Sequence, residues 1–175
     1  MRIRELVMIT GWAAWTVAAT SGATRPAPET QTILVYDEAH VPPHVLRQAK
    51  DGAARILALA GVQVQWLHCT PEPGECTKGL DRTLLVMHIA ATRWGLEEAE
   101  ATGIALLAPE GGIHFYVFYN AVKRLATVEV RPEVILAHAI AHEIGHLLLC
   151  LGEHTPVGMM QGHWSAQELH KAAMG

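Results

Sequence analysis

The pattern of apolar and polar positions predicts a strand followed by a long helix. Residues 33–36 (Ile-Leu-Val-Tyr) form an apolar run typical of a strand. Pro42 and Pro43 then favour a helix start, and the helix is predicted to extend to about Ala60, where Gly61 caps it. Apolar residues recur along this segment at helical spacing: Val45, Leu46, Ala49, Ala53, Ile56, Leu57 and Ala60.

Four more strands follow from the same pattern. Residues 62–67 alternate apolar with polar positions, as in a half-buried strand. Residues 84–90, 102–107 and 113–119 are further candidates, the last two separated by the turn-forming sequence Ala-Pro-Glu-Gly-Gly. Residues 112–119 have two interpretations: the edge of a cleft, where an extended peptide adds as a strand, or an interior strand of the sheet.

Two helices complete the predicted elements. One begins near Pro132 and is expected to end at about Leu151, before Gly152. The other begins at Ser165, which forms a capping-box pattern with Glu168. This order of strands and helices predicts a single α+β domain, with a mixed, mostly antiparallel sheet backed by helices.

Composition and charge narrow the class of protein. With 175 residues, half of them hydrophobic and 17% charged, the chain can bury one core and is too apolar for disorder. The net charge is −4 and no run of lysines or arginines is present, which argues against a nucleic-acid partner. No feature of the sequence predicts an oligomeric state.

The N-terminus has the pattern of a secretory signal peptide. Arg2 and Arg4 precede an apolar stretch over residues 6–19, and small residues follow at 20–23. We expect cleavage after Ala23, with Ala19 as the alternative. The predicted organisation is a signal peptide (1–23), a linker (24–31) and a secreted or periplasmic domain (32–175). The stretch is shorter than the roughly 20 residues that span a bilayer, so no stable membrane insertion is expected after cleavage; an uncleaved anchor is the alternative.

Export would change how the three cysteines are interpreted. Cys69 and Cys76 flank a turn-rich segment, which predicts a disulfide between them in an oxidising compartment. Two unrelated reduced thiols are the alternative. Cys150 lies in an apolar run and is expected to be a buried, inert thiol.

The segment 142–146 (His-Glu-Ile-Gly-His) is the clearest candidate for chemistry. A spacing of four residues on a helix places His142 and His146 on one face, where both can bind one Zn²⁺ ion at about 2.0–2.1 Å. Glu143 lies beside them and can act as general base toward metal-bound water. The surrounding helix is almost wholly apolar, so buried polar groups there need a shared partner such as a metal ion. Core histidines satisfied by carbonyl groups are the alternative.

A catalytic zinc site requires a third protein ligand. We expect His154, because it follows the helix-ending Gly152, where a reversing chain returns toward the metal. A helix that continued to Leu151 would carry the chain about 7–8 Å beyond His146, so His154 reaches the metal more easily if the helix ends a turn earlier. The alternative ligands are Glu153, His163 and Glu168.

His138 lies one turn before the first of these histidines. It is interpreted either as a residue that supports the metal site or the substrate, or as a core histidine with satisfied hydrogen bonds.

The region 137–164 resembles the metzincin clan of zinc peptidases. Their pattern is His-Glu-x-x-His-x-x-Gly-x-x-His followed by a methionine turn, and here the segment 142–146 is followed by His154 and by Gly-Met-Met at 158–160. The short gap to the methionine is most similar to the archaemetzincin branch. Together with Trp164, the segment is also similar to small secreted bacterial proteins that carry this motif.

The resemblance implies a zincin-like fold, with the metal-site helix under the sheet. It also implies zinc ligands at His142, His146 and His154, a general base at Glu143, and a methionine turn at Met160. Met159 is the alternative methionine, and as a further alternative both simply fill the core.

The sequence departs from the clan's pattern at two positions. Leu149 stands where the clan has glycine, and Gly152 stands where it has the third histidine. The second and third histidines are therefore two residues further apart than in the clan.

These features predict a secreted zinc metalloendopeptidase, with a peptide or protein as substrate. One alternative is a non-catalytic module, in which zinc holds the C-terminal helices together with a fourth ligand from His163 or Glu168. Another is a zinc amidase that acts on cell-wall material.

Overall fold

The described part of the chain forms one mixed sheet and four helices. The computed structural model describes residues 29–69, 84–93, 101–108 and 113–174. In chain order these ranges contain β1 (Glu29–Asp37), α1 (Pro43–Leu59), β2 (Val62–His68), β3 (Leu84–Ala90), β4 (Gly103–Leu106), β5 (His114–Phe118), α2 (Tyr119–Leu125), α3 (Pro132–Leu149) and α4 (Ala166–Met174). The predicted α+β class is confirmed. No helix in these ranges combines the length and apolar character needed to cross a membrane.

The sheet is mostly parallel. Its strand order is β2-β1-β3-β5-β4, with parallel pairing throughout except between β4 and β5. The expectation of a mostly antiparallel sheet is therefore wrong. Ile33, Leu34 and Val35 are each at most 1% exposed, so β1 is buried on both faces, as a central parallel strand requires. The helix α1 connects β1 to β2 as a crossover, which parallel neighbours need.

Several predicted boundaries shift. β1 begins at Glu29, inside the predicted linker 24–31, whose first five residues lie outside the described ranges together with the predicted signal peptide. Ala60 is the C-cap of α1, and Gly61 follows it with φ 83 in the left-handed region. The short helix α2 was not predicted; it follows β5 directly and buries Tyr119, Ala121 and Val122.

Among the described strands, β4 forms one edge of the sheet and β2 forms the other. β5 lies between β3 and β4, so the interpretation of residues 112–119 as a cleft edge is wrong and the interior-strand alternative is right. β4 runs antiparallel to β5, with Gly103 opposite Val117 and Leu106 opposite His114.

The main core lies between one face of the sheet and the helices α1 and α3. α3 buries apolar residues on nearly all sides, among them Ile135, Leu136, Ala139, Ile140 and Ile144. It approaches α1 closely at Gly52, because a Cβ atom there would lie 2.8 Å from the Cβ of Ala137. The sequence prediction of a buried helix carrying the histidines is therefore confirmed.

α3 ends at Leu149, two residues before the predicted end. Cys150 is its C-cap, with φ 50 in the left-handed region. The amide of Leu151 then donates to the carbonyl oxygen of His146 at 3.2 Å, which reverses the chain. The expectation that Cys150 is buried is wrong: its thiol is free and exposed, because the turn carries it out of the apolar face. Cys76 lies outside the described residues, so the Cys69–Cys76 disulfide stays a prediction.

Replacing Gly52 tests the close approach of α1 and α3. Helix propensity alone favours a larger residue at this position. We expect Gly52→Val instead to lower the free energy of unfolding by about 1–3 kcal/mol, because the valine side chain has no room against Ala137. Urea denaturation measures it, with Asp51→Val at the exposed neighbouring position as control. An unchanged midpoint for Gly52→Val would show that the helices are not in contact there.

Candidate metal centre

The helix α3 presents two histidines and a glutamate from its buried face. His142, Glu143 and His146 are 7%, 4% and 6% exposed. The spacing of four residues brings the two imidazole rings to 4.6 Å between centroids. Burial of three polar side chains in an apolar helix requires partners for each of them.

Backbone carbonyl groups orient both imidazoles. The Nδ1–H of His142 donates to the carbonyl oxygen of Met159 at 2.8 Å, and the Nδ1–H of His146 donates to that of Leu151 at 2.5 Å. A carbonyl oxygen only accepts hydrogen bonds, so each Nδ1 carries the proton and each Nε2 carries a lone pair. The same pairing fixes metal-binding histidines in proteins generally.

The two Nε2 atoms therefore face each other as acceptors, 3.0 Å apart. Two lone pairs at this distance repel unless a cation lies between them. Two nitrogen ligands of a tetrahedral zinc ion lie about 3.3 Å apart, given bonds of about 2.0–2.1 Å. Burial also lowers the pKa of His142, which favours the neutral imidazole that binds a metal. The pair fits a metal ion.

His154 completes a cluster of three possible ligands. Its ring stacks on that of His142 at 5.2 Å and meets that of His146 edge-on at 5.0 Å. One nitrogen from each of the three rings lies within 4.8 Å of the others, and no other such cluster occurs in the described ranges. A Cβ atom at Gly162 would lie 2.8 Å from Cγ of His154, so a side chain at position 162 would overlap with the His154 ring.

The early end of α3 explains why His154 reaches the cluster. With the reversal at Cys150, the chain turns back about one helical turn beyond His146, and the amide of Leu151 bonds to the His146 carbonyl oxygen. The segment after it is held by a hydrogen bond from the amide of Thr155 to the carbonyl oxygen of Met160, at 2.9 Å.

The methionines at 159 and 160 have separate roles. Met159 supplies the carbonyl oxygen that orients His142, and its side chain packs against the core. The sulfur of Met160 lies against Gly145, where a Cβ atom would overlap with it. Gly145 therefore leaves room for the side chain of Met160 against α3, and the methionine turn at Met160 stays a prediction.

Glu143 points to the free edge of the sheet. The backbone amide of Ala105 donates to its carboxylate, and burial, which outweighs this bond, raises the pKa of the group to about 8. A Cβ atom at Gly103 would lie 2.6 Å from Oε1 of Glu143. The carboxylate is thus held between the helix and β4, beside the histidines and outside their cluster.

The cluster opens into a cleft of about 430 Å³. One wall is β4, from Gly103 to Ala105, and the floor is α3 with His142, Glu143 and His146. The opposite wall comes from the segment that carries His154 and Trp164. A substrate in this cleft would contact the general-base candidate and the three histidines at once.

The other ligand candidates lie elsewhere. The carboxylate of Glu168 accepts from the amide and hydroxyl of Ser165 at 2.8 and 2.7 Å, and the amide of Glu168 donates to that hydroxyl at 3.3 Å, which is the predicted capping box. It also accepts from Gln161 at 3.2 Å. His163 lines the cleft without joining the cluster, and Glu153 is exposed outside it.

His138 is half-buried and lies outside the cluster of three histidines. Its Nδ1–H donates to the carbonyl oxygen of Val134 within the helix at 2.9 Å, and burial lowers its pKa. Trp164 lies edge-on to His138 at 5.7 Å and to His142 at 5.6 Å. The indole of Trp164 therefore lies beside both rings, and it links His138 to the metal-binding cluster.

Sequence reasoning missed the contribution of β4 and α2. Gly103 and Ala105 contact Glu143, and Arg124 of α2 lines the cleft. The signal available was a glycine at the start of a short apolar strand, which often marks a close approach of another group.

The sequence and the structure were compared with those of known proteins. No protein-family model matches the sequence, and no curated protein matches it. Among solved structures, the chain is similar to the crystal structure of archaemetzincin from Methanopyrus kandleri, with a TM-score of 0.48 and 18% identity. The alignment covers 85% of this chain and 89% of that one.

The raised pKa of Glu143 makes the stability of the metal-free protein depend on pH. The folded state holds this proton more tightly than the unfolded state, whose pKa is near 4.5. The stabilisation of the folded state by this bound proton is fully present below pH 4.5 and is lost as the pH rises toward about 8. The side chain of Glu143→Gln is neutral at every pH and still accepts a hydrogen bond from Ala105. With a chelator present to remove metal, the free energy of unfolding of this variant should be about 2–4 kcal/mol higher than that of the wild type at pH 7.5.

Urea denaturation between pH 5 and 8 measures this difference. It should shrink as the pH falls. A difference that does not change with pH would mean that the carboxyl group is not desolvated.

Proposed function

We propose that this protein is a zinc-dependent peptidase that hydrolyses extended peptides in the cleft along β4. The observation that carries the proposal is the arrangement of His142 and His146. Their Nε2 atoms lie 3.0 Å apart with the lone pairs facing each other, because carbonyl oxygens accept the hydrogen bonds of both Nδ1–H groups. His154 supplies a third nitrogen. Three histidines with the fourth side open to a cleft form the donor set of a catalytic zinc site.

The donor chemistry favours zinc over magnesium and calcium. Three neutral imidazoles suit Zn²⁺, whereas Mg²⁺ and Ca²⁺ require oxygen ligands. When bound, zinc would acidify a water molecule and polarise the carbonyl group of the substrate.

The edge of β4 can bind the substrate backbone. The amide of Phe118 donates to the carbonyl oxygen of Thr102 at 2.8 Å, so Thr102 turns its backbone groups toward β5. In an antiparallel pair the orientation alternates, so Gly103 and Ala105 turn theirs to the free edge. The bond from Ala105 to Glu143 agrees with this. An extended peptide that adds to this edge passes directly over the carboxylate and the histidines.

Glu143 is placed to move the proton. Its carboxylate takes a proton from the attacking water and delivers it to the nitrogen of the leaving amine. Burial raises the pKa of this carboxyl group in the metal-free protein, and a zinc ion bound beside it would lower that pKa and favour the carboxylate that accepts the proton. The Ala105 amide holds the carboxylate in place.

The open cleft favours catalysis over a purely structural zinc. A structural site closes with a fourth protein ligand, and Glu168, one of the two candidates, is occupied in the cap of α4. His163 lies on the cleft wall outside the cluster. We also propose that the protein is secreted or periplasmic. Only the signal-peptide pattern of residues 1–23 supports this location.

Metal content tests the centre itself. We expect about one zinc per chain by elemental analysis. His154→Ala should weaken zinc binding by at least about 100-fold in a competition with a chromophoric chelator, because a ligand is lost. His163→Ala is the matched control, since it removes a histidine of the same cleft without removing a ligand. Equal affinity in both variants would exclude His154 from the centre.

Hydrolysis tests the assigned base. Glu143→Gln should keep its zinc and lose hydrolysis of a mixed peptide library by about 10²–10⁴-fold in kcat/KM. Loss of activity together with loss of zinc would point to a structural effect. A zinc-loaded variant with full activity would show that Glu143 is not the base.

A further inference from the structure

A smaller cavity adjoins the cleft. This α3–α4 cavity has a volume of about 200 Å³ and is lined by His138 of α3, by Glu168 and Leu169 of α4, and by residues of the segment between the two helices. Gln161 and Trp164 line both the cavity and the cleft, so the two spaces adjoin. Pockets for drug-sized ligands have volumes of about 300–1,000 Å³. The α3–α4 cavity therefore suits a smaller group, such as one amino-acid side chain.

Much of the cavity wall is apolar. Met159, Trp164 and Leu169 line it and pack against the main core on their other sides. Such a wall accommodates the hydrocarbon part of a ligand. An indole ring also attracts a cation placed over its face.

His138 contributes a hydrogen-bond acceptor to the cavity. Its Nδ1–H donates to the carbonyl oxygen of Val134, so Nε2 carries the lone pair. Within the described ranges, Nε2 of His138 has no hydrogen-bond partner. Burial lowers the pKa of this imidazole, which keeps the ring neutral at physiological pH. A ligand can supply the donor that Nε2 lacks.

Glu168 contributes a negative charge and a second acceptor. Its hydrogen bonds from Ser165 and Gln161 all end on Oε2, and no described residue donates to Oε1. The hydrogen bonds from Ser165 lower the pKa of Glu168, and Lys171 adds to this effect without forming an ion pair. Glu168 is therefore a carboxylate at neutral pH. It carries the only charge among the described side chains that line the cavity, since His138 is neutral.

We propose that the α3–α4 cavity binds a compact organic cation, an ammonium or guanidinium group on an apolar stem. The stem packs on Trp164 and Leu169, and the head donates to the open acceptors of Glu168 and His138. The cation is either a lysine or arginine side chain of the substrate or a free small molecule. The first source rests on the proposed peptidase function, whereas the second is independent of it.

Binding of butylguanidinium to the zinc-loaded, full-length protein tests the cavity. This probe has an apolar stem and a charged head that offers no lone pair to zinc. Isothermal titration calorimetry should show saturable binding, whereas butanol and butyrate should not bind. Glu168→Gln keeps the capping box and should weaken binding by at least about threefold, because an exposed ion pair is lost. His138→Phe should weaken it by about tenfold, because a hydrogen bond to a charged group is lost.

Two matched variants serve as controls. Glu153→Gln and His170→Phe should bind butylguanidinium as the wild type does, because both residues are exposed and neither lines the cavity. If His138→Phe does not fold, Glu168→Gln decides alone. Absence of binding to the wild type, or equal binding by the wild type and Glu168→Gln, would overturn the inference.

Peptide hydrolysis identifies the source of the cation. Matched peptides carry arginine or its neutral isostere citrulline, or lysine or norleucine, at each position beside the scissile bond. If the substrate supplies the cation, kcat/KM should be about 10-fold higher for arginine and lysine at one position, mainly through KM. Glu168→Gln should reduce this preference. Equal rates for all the peptides, together with butylguanidinium binding, would assign the cavity to a free cation.

The binding measurement separates this inference from the proposed function. If the wild type hydrolyses no peptide but butylguanidinium binds through Glu168, the peptidase proposal fails and the cation site stands. If the wild type hydrolyses peptides but does not bind butylguanidinium, the cation site fails alone.

Discussion

The site depends on two hydrogen bonds from imidazole to backbone carbonyl. They fix the protons of His142 and His146 on Nδ1, which leaves two lone pairs facing each other across 3.0 Å. Each bond requires the chain after α3 to return over the helix. The carbonyl of Leu151 comes from the reversal at Cys150, and that of Met159 comes from the turn that also places Met160 under Gly145. The geometry of the centre is therefore set by the segment from 150 to 163 as much as by the motif on the helix.

The sequence predicted the parts of this arrangement that arise from local spacing. Periodicity and side-chain chemistry predicted three features: two histidines four residues apart, the apolar helix around them and the capping box at Ser165. All three are present in the structure. The prediction was wrong about the sheet and about Cys150, and it missed α2. A strand such as β1, apolar on both faces, has no alternation that would show its neighbours' direction. A left-handed Cys150 has no propensity signal, because this conformation costs an L-residue about 1–2 kcal/mol and is usual only for glycine.

The burial of Glu143 is a second consequence of the apolar helix. A carboxylate 4% exposed is unfavourable on its own, and its pKa rises to about 8. The Ala105 amide compensates only in part, since desolvation is the larger effect. Residues that lower the stability of the metal-free fold are thus the ones that the proposed reaction uses, as is common where function and stability compete. A bound cation beside the carboxylate would relieve part of this unfavourable burial.

The one antiparallel strand explains why the cleft lies where it does. Among the described strands β2 and β4 are the two outer strands of the sheet, and β4 is the one that lines the cleft next to α3. The close approach needs a glycine, because a Cβ atom at position 103 would lie 2.6 Å from the Glu143 carboxylate and 2.8 Å from the carbonyl oxygen of Tyr116. The absence of a side chain at Gly103 therefore permits both the pairing of β4 with β5 and the approach of the Glu143 carboxylate to the edge of β4. Because β4 lines the cleft beside the three histidines, an extended peptide added to its edge would lie over them.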